Sequence, residues 1–249
     1  MAGFRSYYPQ GALTAGALVE LDAAEGRHLT KALRARVGAA VTLFDGAGHA
    51  WQGALASIGR EAQVRIEAEL PVAKPTVELT LAIALLKGKA LDAVIKCAVE
   101  IGAVGVVPLF TQHSEVRLDD SRAESKAAHW RTTAIEAAKQ CGNLAGFQVR
   151  SPIALADWLS EGDGGALRLV ASLEDGATPL LGRVKPGVQK VCVLIGPEGD
   201  FSREEYALVR SQGFLPVTLG PHVLRAETAA CYALSALQAH CLIYENSLT

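Results

Sequence analysis

VLIGPEGDFSREEYALVRSQGFLPVTLGPHVLRAETAACYAL, Val193 to Leu234, decides the reading of this chain. Two apolar runs, VCVLI before Gly196 and LPVTL before Gly220, each end in a glycine-rich break, and a third tight segment then opens into a helix. A strand buried on both faces of a parallel sheet reads as a continuous apolar run rather than an alternating one. In an open α/β sheet, the loops leaving the carboxyl ends of neighbouring strands face one crevice, where ligands bind. The three breaks therefore point to one composite ligand site in the last quarter of the chain.

Upstream of this stretch the pattern alternates. It predicts strands at 79–86, 104–110, 167–173, 190–195 and 214–219, with helices at 89–101, 121–141, 202–211 and about 227–244. Leu91, Val94, Ile95, Ala98 and Ile101 recur at helical spacing before a stop at Gly102. Ser202 and Glu205 form a capping box, and Gly213 ends that helix. Such alternation implies an α/β domain with a mainly parallel sheet covered on both faces. The first 70 residues differ. Short strands at 4–8, 17–21, 40–44, 50–58 and 63–70, one helix near 25–36, and turns at Asp45-Gly46, Gly48 and Gly59 suggest a small closed or half-closed antiparallel barrel. Two prolines in PVAKPTVE, 71–78, mark the boundary, giving expected domains 1–72 and 73–249.

With 249 residues, half of them apolar and 20% charged, the chain reads as globular. A net charge of −2 supplies no global attraction to nucleic acid. Locally, Arg27, Lys31, Arg34 and Arg36 run with His28 and no acid between them. On the expected helix Arg27, Lys31 and Arg34 share a face, a candidate phosphate-contact stripe that equally fits an ordinary solvated surface. Five cysteines without CxxC spacing argue against a disulfide framework or a zinc site. No apolar run nears the roughly 20 residues of a membrane span, and the start lacks a signal-type apolar core, so a cytoplasmic protein is expected.

The loop Gly196–Gly199 is no phosphate loop, since neither GxxxxGK[ST] nor GxGxxG is present. Leu224, Arg225, Glu227 and Thr228 place apolar wall, cation, anion and hydroxyl at a helix start. That set suits a ligand with an apolar body, a heteroaromatic ring and both charges, although capping and salt bridging explain the same residues. Phe4, Arg5, Tyr7 and Tyr8 are either an RNA-contact cluster or barrel core.

Taken in order, LIGPEGDFSREE, GFLPVTLG and VLRAETAACYAL resemble the motifs of the bacterial 16S rRNA (uracil(1498)-N(3))-methyltransferases, a family in the SPOUT class of knotted S-adenosylmethionine enzymes. The resemblance covers nearly the whole length. It extends to WRTTAIEAAKQCG from Trp130, EIGAVGVVPL from Glu100, and HLTKALRARVG with LFDGAGHAW near the start. It implies an N-terminal PUA-like β-barrel and a C-terminal SPOUT domain with a trefoil-knotted, mainly parallel sheet. It also implies a homodimer acting on the small ribosomal subunit, with no metal. The implied S-adenosylmethionine pocket comprises Leu173, Leu194, Ile195, Gly196, Gly199, Leu219, Gly220, Leu224, Arg225, Glu227, Thr228 and Ala229. For methylation of uridine N3, Glu227 is the candidate base and Arg225 the group that stabilises the uracil anion or binds phosphate. Arg5, Arg27, Lys31, Arg34 and Arg131 are the candidate RNA contacts. The alternatives are ribose 2′-O-methylation on the same fold and a non-catalytic RNA-binding role in ribosome assembly. Three positions depart from the family's pattern: Asp200 stands where a glycine is common, and His222 and Asn143 where arginines are. The latter two shift weight onto Arg225, Arg131 and Lys139.

Overall fold

The computed structural model describes residues 3–58, 62–162, 165–174 and 176–245. It divides into two compact units, Met1–Lys74 with Ile135–Phe147, and Pro75–Ala134 with Gln148–Thr249. The segment Ile135–Phe147, which the linear reading leaves with the second domain, thus joins the first unit.

In the first unit the chain forms β1 (Phe4–Tyr7), β2 (Leu18–Glu20), α1 (Ala23–Arg27), a π turn at His28–Ala32, β3 (Ala40–Phe44), β4 (Ala50–Ser57) and β5 (Gln63–Leu70). The sheet order is β1-β3-β4-β5-β2. The pairs of β3, β4, β5 and β2 are antiparallel, whereas β1 runs parallel to β3. Alternation sets the inner face: Val64 and Ile66 are buried while Arg65 and Glu67 face out, and Val41, Leu43, Trp51 and Leu55 join them in the core. The register shifts at Gln52/Gly53, and a Cβ on Gly53 would lie 2.5 Å from the Arg65 carbonyl oxygen, so the bulge needs glycine. The aromatic cluster is core: Tyr8 is buried, Phe4 packs against the cluster, and Tyr7 meets Phe44 edge-on at 5.7 Å. The turn at Gly59 lies outside the described residues.

The helix expected at 25–36 is shorter and displaced. Asp22 caps it, accepting from the Ala24 and Glu25 amides at 2.7 and 2.9 Å. It then widens into the π turn, and Arg34 turns left-handed at φ 55°. The Ala35 amide reaches back to the Leu29 carbonyl at 3.1 Å, closing the end so that Leu29 and Ala35 both enter the core. Arg34 therefore leaves the face it was expected to share with Arg27 and Lys31.

A buried polar network ties Ile135–Phe147 into this unit. Glu25 accepts from Ser6 Oγ at 2.5 Å, the Tyr7 amide at 3.1 Å and Lys139 Nζ at 2.7 Å, and Lys139 also pairs with Glu136 at 2.6 Å. Arg5 donates to the Lys139 and Gln140 carbonyls at 2.9 and 3.3 Å, satisfying the end of a long helix.

The second unit contains β6 (Glu78–Ala84), α2 (Ala90–Ile101), β7 (Gly105–Phe110), the helix α3 (Asp120–Cys141) up to Ala134, β8 (Gln148–Val149), β9 (Ile153–Ala154), α4 (Leu155–Glu161) and β10 (Leu167–Ala171). It continues through β11 (Thr178–Pro179), a 3₁₀ turn at Leu180–Arg183, β12 (Lys190–Ile195), α5 (Arg203–Ser211), β13 (Leu215–Thr218) and α6 (Ala226–Glu245). The eight strands run in the order β11-β13-β10-β12-β6-β7-β8, with β9 beside β7, and every pairing is parallel. The apolar runs follow from this: Leu79, Leu81, Ala82, Ile83 and Ala84 of β6 have no exposed surface. Leu91, Val94, Ile95 and Ala98 bury the inner face of α2, which Gly102 ends at φ 94°. The capping box of α5 forms as the sequence predicts. No helix of the described residues is long and apolar enough to cross a membrane.

Candidate functional site

The parallel register aligns three strand ends. Leu169 of β10 lies opposite Val193 of β12 on one side and Leu215 of β13 on the other, so the loops after Ala171, Ile195 and Thr218 leave the sheet together. Between them opens a cleft with about 620 Å³ of space, its open mouth included. Leu173, Ile195, Leu219, Val223 and Leu224 supply apolar walls. Ser172, Glu198, Asp200, Thr218 and His222 supply polar groups. Ala171, Gly196, Pro197, Gly220, Ala226 and Ala229 complete the lining, small residues that bring main chain close to an occupant.

Local chemistry explains the loop after β12. A Cβ on Gly196 would lie 3.0 Å from the Phe201 ring, so a larger residue would push the two apart. Asp200 is left-handed at φ 59°. Its Oδ1 accepts from the Phe201 amide and the Tyr206 hydroxyl, each at 2.8 Å, the local bonding that lets an aspartate hold a conformation suited to glycine. This accounts for Asp200 standing where the resembled family often has glycine. Burial and the neighbouring Asp200 carboxylate push the Tyr206 phenol well up, keeping it protonated as the donor.

Seven of the sequence-predicted pocket residues line the cleft: Leu173, Ile195, Gly196, Leu219, Gly220, Leu224 and Ala229. Leu194 does not. It alternates to the opposite face and is fully buried in a cluster with Trp158, Phe201, Tyr206 and Val209. Gly199 sits exposed at the crest of its loop, outside the lining. Arg225 and Thr228 are exposed and Glu227 is half-buried, around the first turn of α6 whose Ala226 and Ala229 do face the cleft. Among the described residues Glu227 has no hydrogen-bonding or ionic partner. Sequence reasoning did not place Ser172, Glu198, Thr218, Val223 or Ala226 in the pocket. Adjacency to the strand-end glycines was the available signal.

The candidate RNA contacts separate into two groups. Arg5 caps a helix, and Lys139 is buried between two carboxylates. Arg131 donates from Nε to the Val149 carbonyl at 3.2 Å, from Nη1 to Glu124 at 2.7 Å and from Nη2 to Ser151 at 2.9 Å. These three side chains fasten the fold. Arg27, Lys31, Arg34 and Arg36 are exposed, with no ion pair among the described residues. Nor do the described residues contain a group of three or more His, Cys, Asp or Glu side chains that could hold a metal.

A parallel α/β sheet with a small-molecule cleft at its carboxyl edge, joined in sequence to a small β domain, defines the class of this protein. The chain belongs to the RNA methyltransferase domain family, whose profile matches residues 73–238, and residues 21–67 match the RNA methyltransferase PUA domain. A Legionella pneumophila protein solved with the bound cofactor SAM is 33% identical, with a TM-score of 0.88 over 96% of this chain and 98% of that one. Ribosomal RNA small subunit methyltransferase E from Neisseria gonorrhoeae, solved bound to S-adenosyl methionine, is 29% identical with the same TM-score over 96% of this chain and 98% of its own. The enzyme of that name from Rickettsia conorii is 27% identical over 96% of this chain and 98% of its own.

Proposed function

We propose that this chain methylates N3 of a uridine in 16S rRNA of the small ribosomal subunit, using S-adenosylmethionine, and that it does so in the cytoplasm as a homodimer. The observation that carries the reading is the cleft where the loops after β10, β12 and β13 converge, in a chain alignable over nearly all its length with two relatives solved with that cofactor.

The residues fit the cofactor's chemistry. Apolar walls from Leu173, Ile195, Leu219 and Leu224 suit a heteroaromatic ring, and the main chain at Gly196 and Gly220 offers its polar edge hydrogen bonds. The carboxylates of Glu198 and Asp200 suit a ligand that carries sulfonium and ammonium charge. Gly199, Arg225, Glu227 and Thr228, which flank the lining, complete the assignment as its outer members, and Leu194, buried in the core, drops out of it.

When bound, the cofactor supplies an electrophilic methyl group. The protein's first task is alignment, worth effective molarities of up to about 10⁵ to 10⁸ M in well-oriented systems. Its second is to remove the imide proton from N3. Glu227 is the base: it has no internal partner, and it projects from the turn that lines the cleft. Arg225 beside it, exposed and cationic, stabilises the uracil anion or binds phosphate. N3 lies on the pairing edge, so the target base enters unpaired.

Arg27, Lys31, Arg34 and Arg36 of the PUA-like unit contact the RNA backbone, and of the candidate RNA contacts they have the best claim because their charges are uncommitted. The domain division is 1–72 and 73–249, with the last turns of α3 and the loop after it packed into the first unit. Tyr232, Leu242 and Ile243 expose apolar surface along α6, which suits pairing with a second copy. The closing segments form the trefoil knot of the SPOUT class.

The test is methyl transfer to small subunits from a strain that lacks this gene, with the product mapped by mass spectrometry of digested rRNA. The methyl is expected on uracil N3. A methyl on a ribose 2′-oxygen would establish the other chemistry of the fold, and no transfer without cofactor binding would establish a non-catalytic RNA-binding role.

A further inference from the structure

Behind the loop that walls the cleft stands a side chain that the proposed mechanism does not use. β7 ends at Phe110, and the next four residues form a fixed turn: the Thr111 and Ser114 hydroxyls, both buried, meet at 2.7 Å, and the Ser114 amide donates to the Thr111 carbonyl at 3.2 Å. This turn crosses the end of β6 to reach the segment after β12, which is not a sheet neighbour of β7. Two residues of the turn join them. The Gln112 amide donates to Glu205 Oε1 at 2.8 Å, and His113 Nδ1 lies 3.1 Å from the Gly199 carbonyl oxygen and 2.9 Å from that of Asp200. The approach is close, since a Cβ on Gly199 would sit 3.2 Å from the His113 Cβ.

We propose that His113 is a positioning residue, whose Nδ1–H clasps the Gly199 and Asp200 carbonyls and so fixes the wall that Glu198 and Asp200 present to the cofactor. Both partners are acceptors, so Nδ1 must carry the proton. The clasp acts on Asp200, the left-handed residue whose side chain Tyr206 holds from the other side. Main chain and side chain of one strained residue are thereby fixed independently. Without the clasp, the loop samples other orientations, and binding has to order it.

The proposal rests on the cofactor reading above, and the experiment separates the two. Calorimetric titration with S-adenosylmethionine compares wild type, His113→Phe, which keeps a ring and loses the donor, and His113→Asn, whose amide replaces the Nδ1–H. His113→Phe is expected to weaken Kd about tenfold, the loss of roughly one well-formed hydrogen-bonding donor. His113→Asn is expected to stay within about twofold of wild type, because its side-chain amide can donate from a similar place. In turnover, KM for the cofactor rises in the Phe variant while kcat stays.

Equal binding by wild type and Phe variant overturns the clasp, as does equal weakening by Phe and Asn. A wild type that fails to bind overturns the cofactor reading instead. The clasp is then judged by the imidazole ¹⁵N shifts of His113 in the free protein, which are expected to show the proton on Nδ1; a proton on Nε2 alone refutes it. The same spectrum and the Asn variant decide the matter if His113→Phe does not fold.

Discussion

Two glutamates, each in the first turn of a helix, mark opposite uses of a carboxylate. Glu25 in α1 is buried, and Ser6, the Tyr7 amide and Lys139 occupy its oxygens. Glu227 in α6 is half-buried beside the cleft and has no partner among the described residues. A carboxylate that is fully satisfied is already committed to holding segments together, whereas one left unsatisfied beside a ligand site is free to take a proton. The same contrast sorts the cations: Arg5, Arg131 and Lys139 are spent internally, while Arg27, Lys31, Arg34 and Arg36 are not.

Substituting both glutamates tests this most severely. Glu227→Gln is expected to lower kcat by roughly 10² to 10⁴, the usual contribution of a general base, with a far smaller effect on cofactor Kd and the thermal midpoint unchanged. Full turnover in that variant would remove Glu227 from the chemistry. The reverse pattern is expected in the first unit. Lys139→Met leaves Glu25 buried against Ser6 with its cation gone, and should cost about 3 to 5 kcal/mol in denaturant unfolding, with turnover per folded molecule unchanged. Adding Glu25→Gln should restore much of that loss. Burial alone would push the Lys139 ammonium down, but hydrogen bonds and charge from Glu136 and Glu25 outweigh it and raise its pKa. Its contribution to stability is therefore complete at neutral pH, and it fades only in alkali, as pH passes the ordinary lysine value and then the raised folded one.

Within the second unit, Leu194 and Leu224 make a smaller contrast of the same kind. Leu194→Ala opens a cavity in the core and should cost about 2 to 5 kcal/mol of stability while leaving cofactor affinity alone. Leu224→Ala should weaken cofactor binding with a lesser effect on stability. Smallest is the effect on RNA. Removing Arg27 and Lys31 together should lower the salt dependence of binding to single-stranded rRNA by about 0.7 per lost phosphate contact, whereas Arg131→Ala should not change it.

The sequence was most legible where one local rule decides one outcome. Helical spacing set α2, Gly102 and Gly213 mark where α2 and α5 end, and Ser202 with Glu205 opened α5 as expected. Continuous apolar runs revealed the parallel strands, and for the same reason hid which residues face the cleft. A strand covered on both faces carries no alternation, so nothing separated Leu194 in the core from Ile195 at the site. Two-residue strands such as β8 and β9 are too short to carry a period, and α4 shows too few turns to stand out. The helix at 25–36 failed for a tertiary reason. Basic residues suit a helix surface, but the core requires both Leu29 and Ala35, which a regular helix places on different faces.

The order of strands in the large sheet also has a consequence in time. β6 pairs with β7 soon after it in sequence, but its other edge waits for β12, roughly 100 residues later. At about 5 to 20 residues per second, a chain emerging from the ribosome leaves that edge open for several seconds. During that interval a strand whose closing residues, Leu81 to Ala84, are all apolar displays unpaired backbone, a template for pairing with other nascent chains. The cleft arrives later still, since its last wall is the start of α6. An enzyme that methylates ribosomal RNA thus needs its own chain translated through the start of α6 before it can hold a cofactor, and the open edge of β6 is where a chaperone would have most to protect.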